Sequence, residues 1–500
     1  MSLSLFRSLF FTLSACTSIA TAAVPLADFA RHAQFNDIKI SPDGDYAAAS
    51  AIVDGKTVLS LIHLSDMKGV NLRPRENREL AQFWWVAPDR VMYTVGDRSG
   101  PLESPSSTGE LYAINANGSD DGNIFGYRMG NQGPTKVAHG TSRLAYAELV
   151  DPLRDDPRHA LIATYAINGS NMGRMRTQSA SGVFPAVERI DLYTGATTPI
   201  ATSPLRNAAF LTDHHGNVRF AYGQDVDQKM KVWYRSGANA DWTLVLDEAR
   251  DHKRMTPLEF NRKEDKVYFS CGGTHEVGGV CTWNAASGAF ATLWSGTTAG
   301  IDSWVSSFDD DDIVAIRSMP GRIATTLLDK DAPEVKLLTG LMQQFPGEDV
   351  RITSSTPDGK KVIFLVSSGM NPGEFYLYDA VARKATLLFS RRPWIKPAQM
   401  AQVVPIDLKA RDGLALHGYL TRPPGETDAK NLPLVVYVHG GPYGIRDTWE
   451  FDPYVQMLAS RGYAVLQVNY RGSGGYGRSF VEKGFRQWGG AEPECPAPAS

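Results

Sequence analysis

Little in this chain is lopsided, and the shortages are informative. Cysteine is scarce, four in 500 residues, too few for a scaffold built on disulfides. There is no Cys-x-x-Cys pair and no His-Glu-x-x-His string, so the familiar zinc spacings are missing and neither a metal nor another cofactor is expected. Neither charge sign dominates. Lys and Arg number 51 against 54 Asp and Glu, a net charge of −3, which does not suggest a general nucleic-acid binder. No apolar run spans a bilayer comfortably, so no transmembrane span is expected. Hydrophobic residues at 43% and charged residues at 21% are ordinary globular usage, and the length allows about three domains or two larger ones. The 46 glycines and 10% aromatics suit strands and tight turns.

The N-terminus has the form of an export signal. Arg7 is the only charge before Asp28, an apolar run follows from Leu9 to Ala20, and Ala20-Thr21-Ala22 is an A-x-A cleavage pattern. Residues 1–22 are therefore expected to be a signal peptide, and the mature chain periplasmic or secreted. Leu13-Ser14-Ala15-Cys16 offers a second possibility, a lipoprotein box with Cys16 as the lipidated residue. In an oxidising compartment Cys271 and Cys281, on the two arms of an expected hairpin (Lys266–Ser270 and Thr282–Trp283), are candidates for a disulfide, with two free buried thiols as the alternative. His275-Glu276 between them is taken as a loop dipeptide.

Turn chemistry then recurs, each time with a strand after it. Ser41-Pro42-Asp43-Gly44, Ala87-Pro88-Asp89-Arg90 and Thr356-Pro357-Asp358-Gly359 are followed by Tyr46–Ala49, Val91–Thr94 and Val362–Leu365. Weaker copies lie near Thr141, His214, Arg262 and Asp310. Proline fixes φ and Asp-Gly closes the turn, so each copy starts a strand sharply. The anchors Pro42, Pro88, Thr141, His214, Arg262, Asp310 and Pro357 are separated by 46, 53, 73, 48, 48 and 47 residues. A blade of four strands takes about 40–50. The spacing predicts a seven-bladed β-propeller over residues 23–395, with an insertion around Asp151–Ser181 in the long gap. The acid run Asp309–Asp312 lacks the glycine and spacing of a calcium loop.

From about Met400 the pattern changes. Val403–Leu408 and Leu416–Leu420 are expected as strands joined through Arg411-Asp412-Gly413. Leu434–Val438 and Tyr463–Val468 are continuous apolar runs, separated by an amphipathic stretch, Pro453–Arg461, with Tyr454, Met457 and Leu458 at helical spacing. Apolar strands alternating with helices predict an α/β domain with a mostly parallel sheet. His439-Gly440-Gly441-Pro442 follows directly on one buried strand, and its glycines let backbone N–H groups approach a ligand oxygen. Gly472-Ser473-Gly474-Gly475-Tyr476-Gly477 matches G-x-G-x-x-G, but no acidic residue follows about 20 positions on at the end of a next strand, so dinucleotide binding is set aside.

The combination of repeated blades, Val435–Gly444 (VVYVHGGPYG), Gln467–Phe480 (QVNYRGSGGYGRSF) and Trp488-Gly489-Gly490 resembles the prolyl oligopeptidase family, in particular its exported acylaminoacyl-peptidase and dipeptidyl-peptidase-like branch. The resemblance implies a β-propeller (seven blades) capping an α/β-hydrolase domain, and serine-peptidase chemistry on short peptides. It places His439, Gly440 and Gly441 at the oxyanion-side turn. Some relatives carry a tyrosine at the position of His439. With histidine there, donation to the oxyanion would come from backbone N–H groups or a neutral imidazole.

The departures are equally plain. No Gly-x-Ser-x-Gly elbow occurs, and no histidine follows His439, although the family order is Ser, Asp, His. The resemblance stops at Gly490, and residues 491–500, with Cys495 and three prolines, are expected to be an unstructured tail. Residues 396–490 are thus expected to form an incomplete, N-terminal part of the hydrolase domain in a C-terminally truncated member. The catalytic triad is absent and the chain is expected to be inactive alone. A non-catalytic propeller binding module and an inactive scaffold are the alternative functions. Dipeptidyl and acyl-peptide substrates both stay open.

Overall fold

A computed structural model describes residues 24–74, 78–100, 103–129, 142–167, 184–272, 277–426, 429–441 and 443–487. The expected signal segment with Cys16, the anchor Thr141, residues 168–181 of the expected insertion, His275-Glu276, Pro442, Trp488–Gly490 and the expected tail with Cys495 lie outside these residues; the rest of that insertion is a turn and the strand His159–Ala166 of sheet III.

Seven antiparallel sheets follow one another along the chain. We number them I (Phe35–Leu72), II (Glu79–Phe125), III (Ala145–Thr202), IV (Ala209–Asp247), V (Arg254–Ser295), VI (Ile301–Leu327) and VII (Asp349–Ser390). Six have four strands in chain order. The turn chemistry accounts for the hairpin at the start of a sheet. In Ser41–Gly44 and Thr356–Gly359 the glycine N–H donates to the carbonyl three residues back at 2.9 Å. Gly44 and Gly359 have φ of 78° and 66°, a region open to glycine at little cost.

Some second strands are buried on both faces, as in Ile313–Ser318, whereas fourth strands such as Thr197–Thr202 and Lys384–Ser390 are largely exposed. That gradient follows from packing each sheet between two neighbours. Apolar clusters join I to II, II to III, III to IV, IV to V and VI to VII. The join of V to VI also carries polar contacts: Arg262 pairs with Asp309 at 2.6 Å, and the Tyr268 hydroxyl donates to Asp312 at 2.7 Å. Sheet VII returns to sheet I, where Ile363, Leu365 and Phe375 pack with Ile38, Ile40 and Ala47. The ring closes through side chains and not through a shared strand.

Two details correct the sequence reading. In sheet III the first-to-second turn is Pro152–Arg158, between Ala145–Asp151 and His159–Ala166, and not at Thr141. A long turn with two prolines replaced the compact signal, so the anchor was set one strand early. Sheet VI has three strands. In place of the fourth comes a helix. Counting helices in chain order, α1 is Leu26–Ala30, α2 Glu248–Asp251, α3 Pro333–Gln344, α4 Pro453–Ala459 and α5 Arg478–Glu482. α3 starts on a proline at its first turn and buries Val335, Leu338 and Leu341, a three-residue spacing, between sheets VI and VII. In sheet V, Cys271 and Cys281 stand on neighbouring strands with Cα atoms 5.9 Å apart and their Sγ atoms bonded.

The last ring strand ends at Ser390, and a mixed four-stranded sheet begins at Val403. Its order is 403–409, 415–421, 464–469, 434–436. Only Leu434–Val436 and Ala464–Asn469 are parallel, so the expectation of a mostly parallel sheet fails among the described strands. Strands joined by a short turn, as at Arg411–Gly413, must run antiparallel, and only the pair bridged by α4 can be parallel. Leu434–Val436 forms an edge, with Leu434 and Val436 both 44% exposed. α4 buries Val455, Gln456 and Ala459 instead of a face led by Tyr454, because the Gln456 amide is used inside. Its oxygen accepts from Ala401 N–H, and its nitrogen donates to the Ala401 and Gly369 carbonyls at 2.7–2.8 Å.

This C-terminal unit sits on one rim of the ring, the rim of the second-to-third and sheet-to-sheet connections. Tyr419 donates to the Gly321 carbonyl at 2.8 Å, and Trp449 packs on Met319. α1 also joins it: Val24 and Phe29 pack with Ile395, Met400, Phe451 and Met457. The first-to-second turns occupy the opposite rim.

Candidate active site

His439 follows the edge strand Leu434–Val436, and Ser473 follows the parallel strand Ala464–Asn469. Both lie beyond the carboxyl ends of neighbouring parallel strands, where open α/β sheets place their ligands. His439 Nδ1 is 2.7 Å from the Gly440 carbonyl oxygen, which can only accept. Nδ1 therefore carries the proton, and Nε2 accepts from the Ser473 hydroxyl at 2.9 Å. The Tyr470 ring stacks on the imidazole at 4.5 Å, and its hydroxyl donates to the His439 carbonyl at 3.2 Å. Serine, tyrosine and the chain itself thus fix the histidine ring.

This arrangement bears on the two donors that the sequence left open. Both imidazole nitrogens are engaged, so the ring has no spare N–H for an oxyanion. The N–H groups of Gly440 and Gly441 accept no such limit: among the described residues neither has a partner, and both glycines are exposed. Gly441 has φ of 137°, which only glycine adopts without strain. Ser473 is fully buried, so it serves as a pin for His439 and is closed to a substrate.

The segment leading away from the turn is held by a buried polar set. Asp447 N–H donates to Asn469 Oδ1 at 2.7 Å, Gln467 Nε2 donates to Asp447 Oδ1 at 3.1 Å, and Asn469 Nδ2 donates to the Tyr476 hydroxyl at 2.9 Å. Asp447 Oδ2 is buried without a partner. Burial pushes the Asp447 carboxyl up to about 6, against the pull of His439. Sequence reasoning missed Asp447, Gln467 and Asn469. The signal was present, since Gln467 and Asn469 alternate on one face of an otherwise apolar strand, where buried amides must find partners.

The glycine string also finds its use here. Gly444 N–H donates to the Gly472 carbonyl and Gly474 N–H to the Ile445 carbonyl, each at 3.0 Å. A Cβ on Gly474 would collide with the Gly444 carbonyl. The glycines let two loops lie backbone against backbone. They also meet the ring, since Gly300 N–H donates to the Gly475 carbonyl at 2.9 Å. Arg446 pairs with Asp302 at 2.8 Å and Arg478 with Glu248 at 2.9 Å. The turn carrying His439, Gly440 and Gly441 is thereby tied to the ring's near rim. Among the described residues no cluster of three His, Cys, Asp or Glu could hold a metal ion, and no helix is long and apolar enough to cross a membrane.

Comparison with known proteins agrees with this architecture. Residues 449–494 match the model of the prolyl oligopeptidase family. Dipeptidyl aminopeptidase BIII of Pseudoxanthomonas mexicana is 26% identical over 472 residues, covering 91% of this chain and 62% of the relative. Dipeptidyl peptidase family member 6 of Caenorhabditis elegans is 27% identical over 314 residues, 57% of this chain and 42% of the relative. The chain thus spans less than two thirds of the length of either. A puromycin-hydrolyzing peptidase of Mycobacterium tuberculosis shares the fold with a TM-score of 0.65 at 16% identity, over 94% of this chain and 71% of its own. Prolyl oligopeptidase B of Galerina marginata does so with a TM-score of 0.61 at 13% identity, over 94% and 68%. The chain is a relative of the prolyl oligopeptidase family peptidases.

Proposed function

We propose that the chain serves the hydrolysis of short peptides by the serine-peptidase chemistry of this family. On this reading the ring is a seven-bladed β-propeller that screens access to an α/β-hydrolase unit. Gly440 and Gly441 hold the oxyanion with their N–H groups, and His439, pinned by Ser473, shapes the turn. The observation that carries the proposal is this turn: two exposed glycine N–H groups at the end of a parallel strand, without a partner among the described residues. Donors aimed at developing charge are the largest usual contribution to acyl-transfer catalysis. The names of the relatives make dipeptide release the first substrate class to test.

The 500 residues contain no Gly-x-Ser-x-Gly elbow and no histidine after His439, so we further propose that they are inactive by themselves, and the Ala20-Thr21-Ala22 pattern behind an apolar run supports a place outside the cytoplasm. Two measurements test the reading. A fluorophosphonate probe should leave the purified chain unlabelled, and a labelled serine would overturn the inactivity. A tetrapeptide blocked at both ends should bind, and Gly440→Pro, which removes one N–H at a position with no atom within 4 Å of a new Cβ, should weaken binding about tenfold, the value of one good hydrogen bond. Equal binding by Gly440→Pro would remove the oxyanion-side role.

A further inference from the structure

The rim of the ring next to the C-terminal unit carries a cavity of about 460 Å³, within the range of small-ligand sites. It lies where three pieces of chain meet: the entry to sheet I at His32, the second-to-third connection of sheet II from Arg98 to Glu103, and the exit from sheet VII at Arg391 and Arg392. Its lining stops at Arg392, so the oxyanion turn is no part of it.

The cavity is rich in cations, and its other lysine and arginines already have partners. Lys39 pairs with Asp37 at 3.3 Å and Arg98 with Glu79 at 2.5 Å. Arg392 donates to the carbonyls of Phe29 and Arg31. Arg391 is the exception: among the described residues nothing accepts from its guanidinium. Its Nε is sealed off without a partner, whereas Nη1 and Nη2 are not sealed off, and the side chain lines the cavity. Burial is the main reason that this guanidinium is pulled below its ordinary range; Glu450 and Asp37 oppose that pull without pairing, and Arg351 adds to it. The fold nevertheless holds the residue firmly. Its N–H donates to the Gly373 carbonyl at 2.8 Å and its carbonyl accepts from Gln34 N–H at 2.6 Å. The stem runs over Gly373, where a Cβ would lie 2.6 Å from Arg391 Cδ. A cation fixed in place with no counter-ion is costly unless something else supplies the charge.

We propose that this cavity binds a small polar carboxylate, the free C-terminus of a short peptide or a hydroxy acid, with its two oxygens on Arg391 Nη1 and Nη2. A guanidinium offers a carboxylate two parallel N–H groups, a strong and geometrically specific pairing. Asp37 and Glu103 also line the cavity, so a dianion such as phosphate meets repulsion that a single negative charge feels less. Asn36, Ser50, Gln82 and Ser104 give the rest of the ligand hydrogen-bonding neighbours. The site belongs to the ring and does not rest on the peptidase reading.

Calorimetric titration of the full chain with N-acetyl-glycyl-glycine and with lactate tests it, since each carries one carboxylate and no ammonium group. At least one should saturate a single site, and which of them binds tells a peptide terminus from a free acid. The corresponding amide, which lacks the charge, should bind at least about tenfold more weakly. Arg391→Gln should reproduce that loss, and Arg391→Lys, which keeps the charge but not the fork, should fall between. If Arg391→Gln fails to fold, Arg391→Lys and the amides on the unaltered chain carry the test. No saturation by either acid up to roughly 10 mM would overturn the proposal. So would equal affinity for acid and amide, or inorganic phosphate bound more tightly than both acids. The tetrapeptide blocked at both ends has no free carboxylate, so binding at the oxyanion turn and binding here are read apart.

Discussion

Ser473 Oγ lies 2.9 Å from His439 Nε2, and this hydrogen bond joins the ends of two parallel strands that are 34 residues apart in the chain. Ser473→Ala leaves a half-buried ring nitrogen without its donor. The expected cost is about 1–2 kcal/mol of unfolding free energy, read by urea titration. Loss of the donor at Nε2 should also be visible as a change in the imidazole nitrogen shifts. A variant with unchanged stability and unchanged shifts would remove the pin from the account.

Asp447 makes the stability of the C-terminal unit sensitive to acid in an unusual direction. Its folded carboxyl, at about 6, lies above the unfolded value of 3.8, so the folded state holds the proton more tightly. Its contribution is intact below about pH 4 and is lost as the pH rises from there to about 6. Asp447→Asn cannot ionise, and its stability curve should be flat across that window where the parent declines. Parallel curves for the two proteins would contradict the assignment.

The Cys271–Cys281 bond closes a short loop within sheet V, ten residues in sequence. Restricting the unfolded chain in this way is worth about 2–3 kcal/mol. Dithiothreitol, or the double change Cys271→Ser with Cys281→Ser, should lower the melting temperature of the ring by several degrees. A melting temperature indifferent to reductant would show the thiols to be free in the isolated protein.

Gly474 and Gly440 both lie in glycine-rich turns but should respond differently to alanine. A Cβ at Gly474 meets the Gly444 carbonyl, and one at Gly440 meets nothing within 4 Å. Gly474→Ala should cost about 1–3 kcal/mol by forcing the two loops apart, whereas Gly440→Ala should stay within about 0.5 kcal/mol. Denaturant unfolding of the pair checks the ranking.

Much of the ring was legible because its signals are local. Ser41-Pro42-Asp43-Gly44 and Thr356-Pro357-Asp358-Gly359 fix their turns with their own side chains and one glycine each, and period-two burial follows from the strand itself. Sheet III misled because Pro152–Arg158 is a long turn of no standard type. Sheet VI misled because α3, whose apolar residues fall three apart, occupies the place of a strand. The face of α4 was misjudged for a different reason: Gln456 looks like a surface residue, and only its partners at Ala401 and Gly369 make burial favourable.

The sequence by itself determined the order of the sheets, the change of architecture near residue 400 and the identity of the turn at His439, because propensity, turn chemistry and apolar period act over a few residues. Tertiary structure alone decided the rest. It set Ser473 against His439, Asp447 between Gln467 and Asn469, and Arg391 in one cavity with Lys39 and Arg98. Those relationships depend on which distant backbones converge. A charge or a hydroxyl carries no record in the local sequence of the partner that will compensate it, since that choice is made by the low dielectric and close packing of the folded interior.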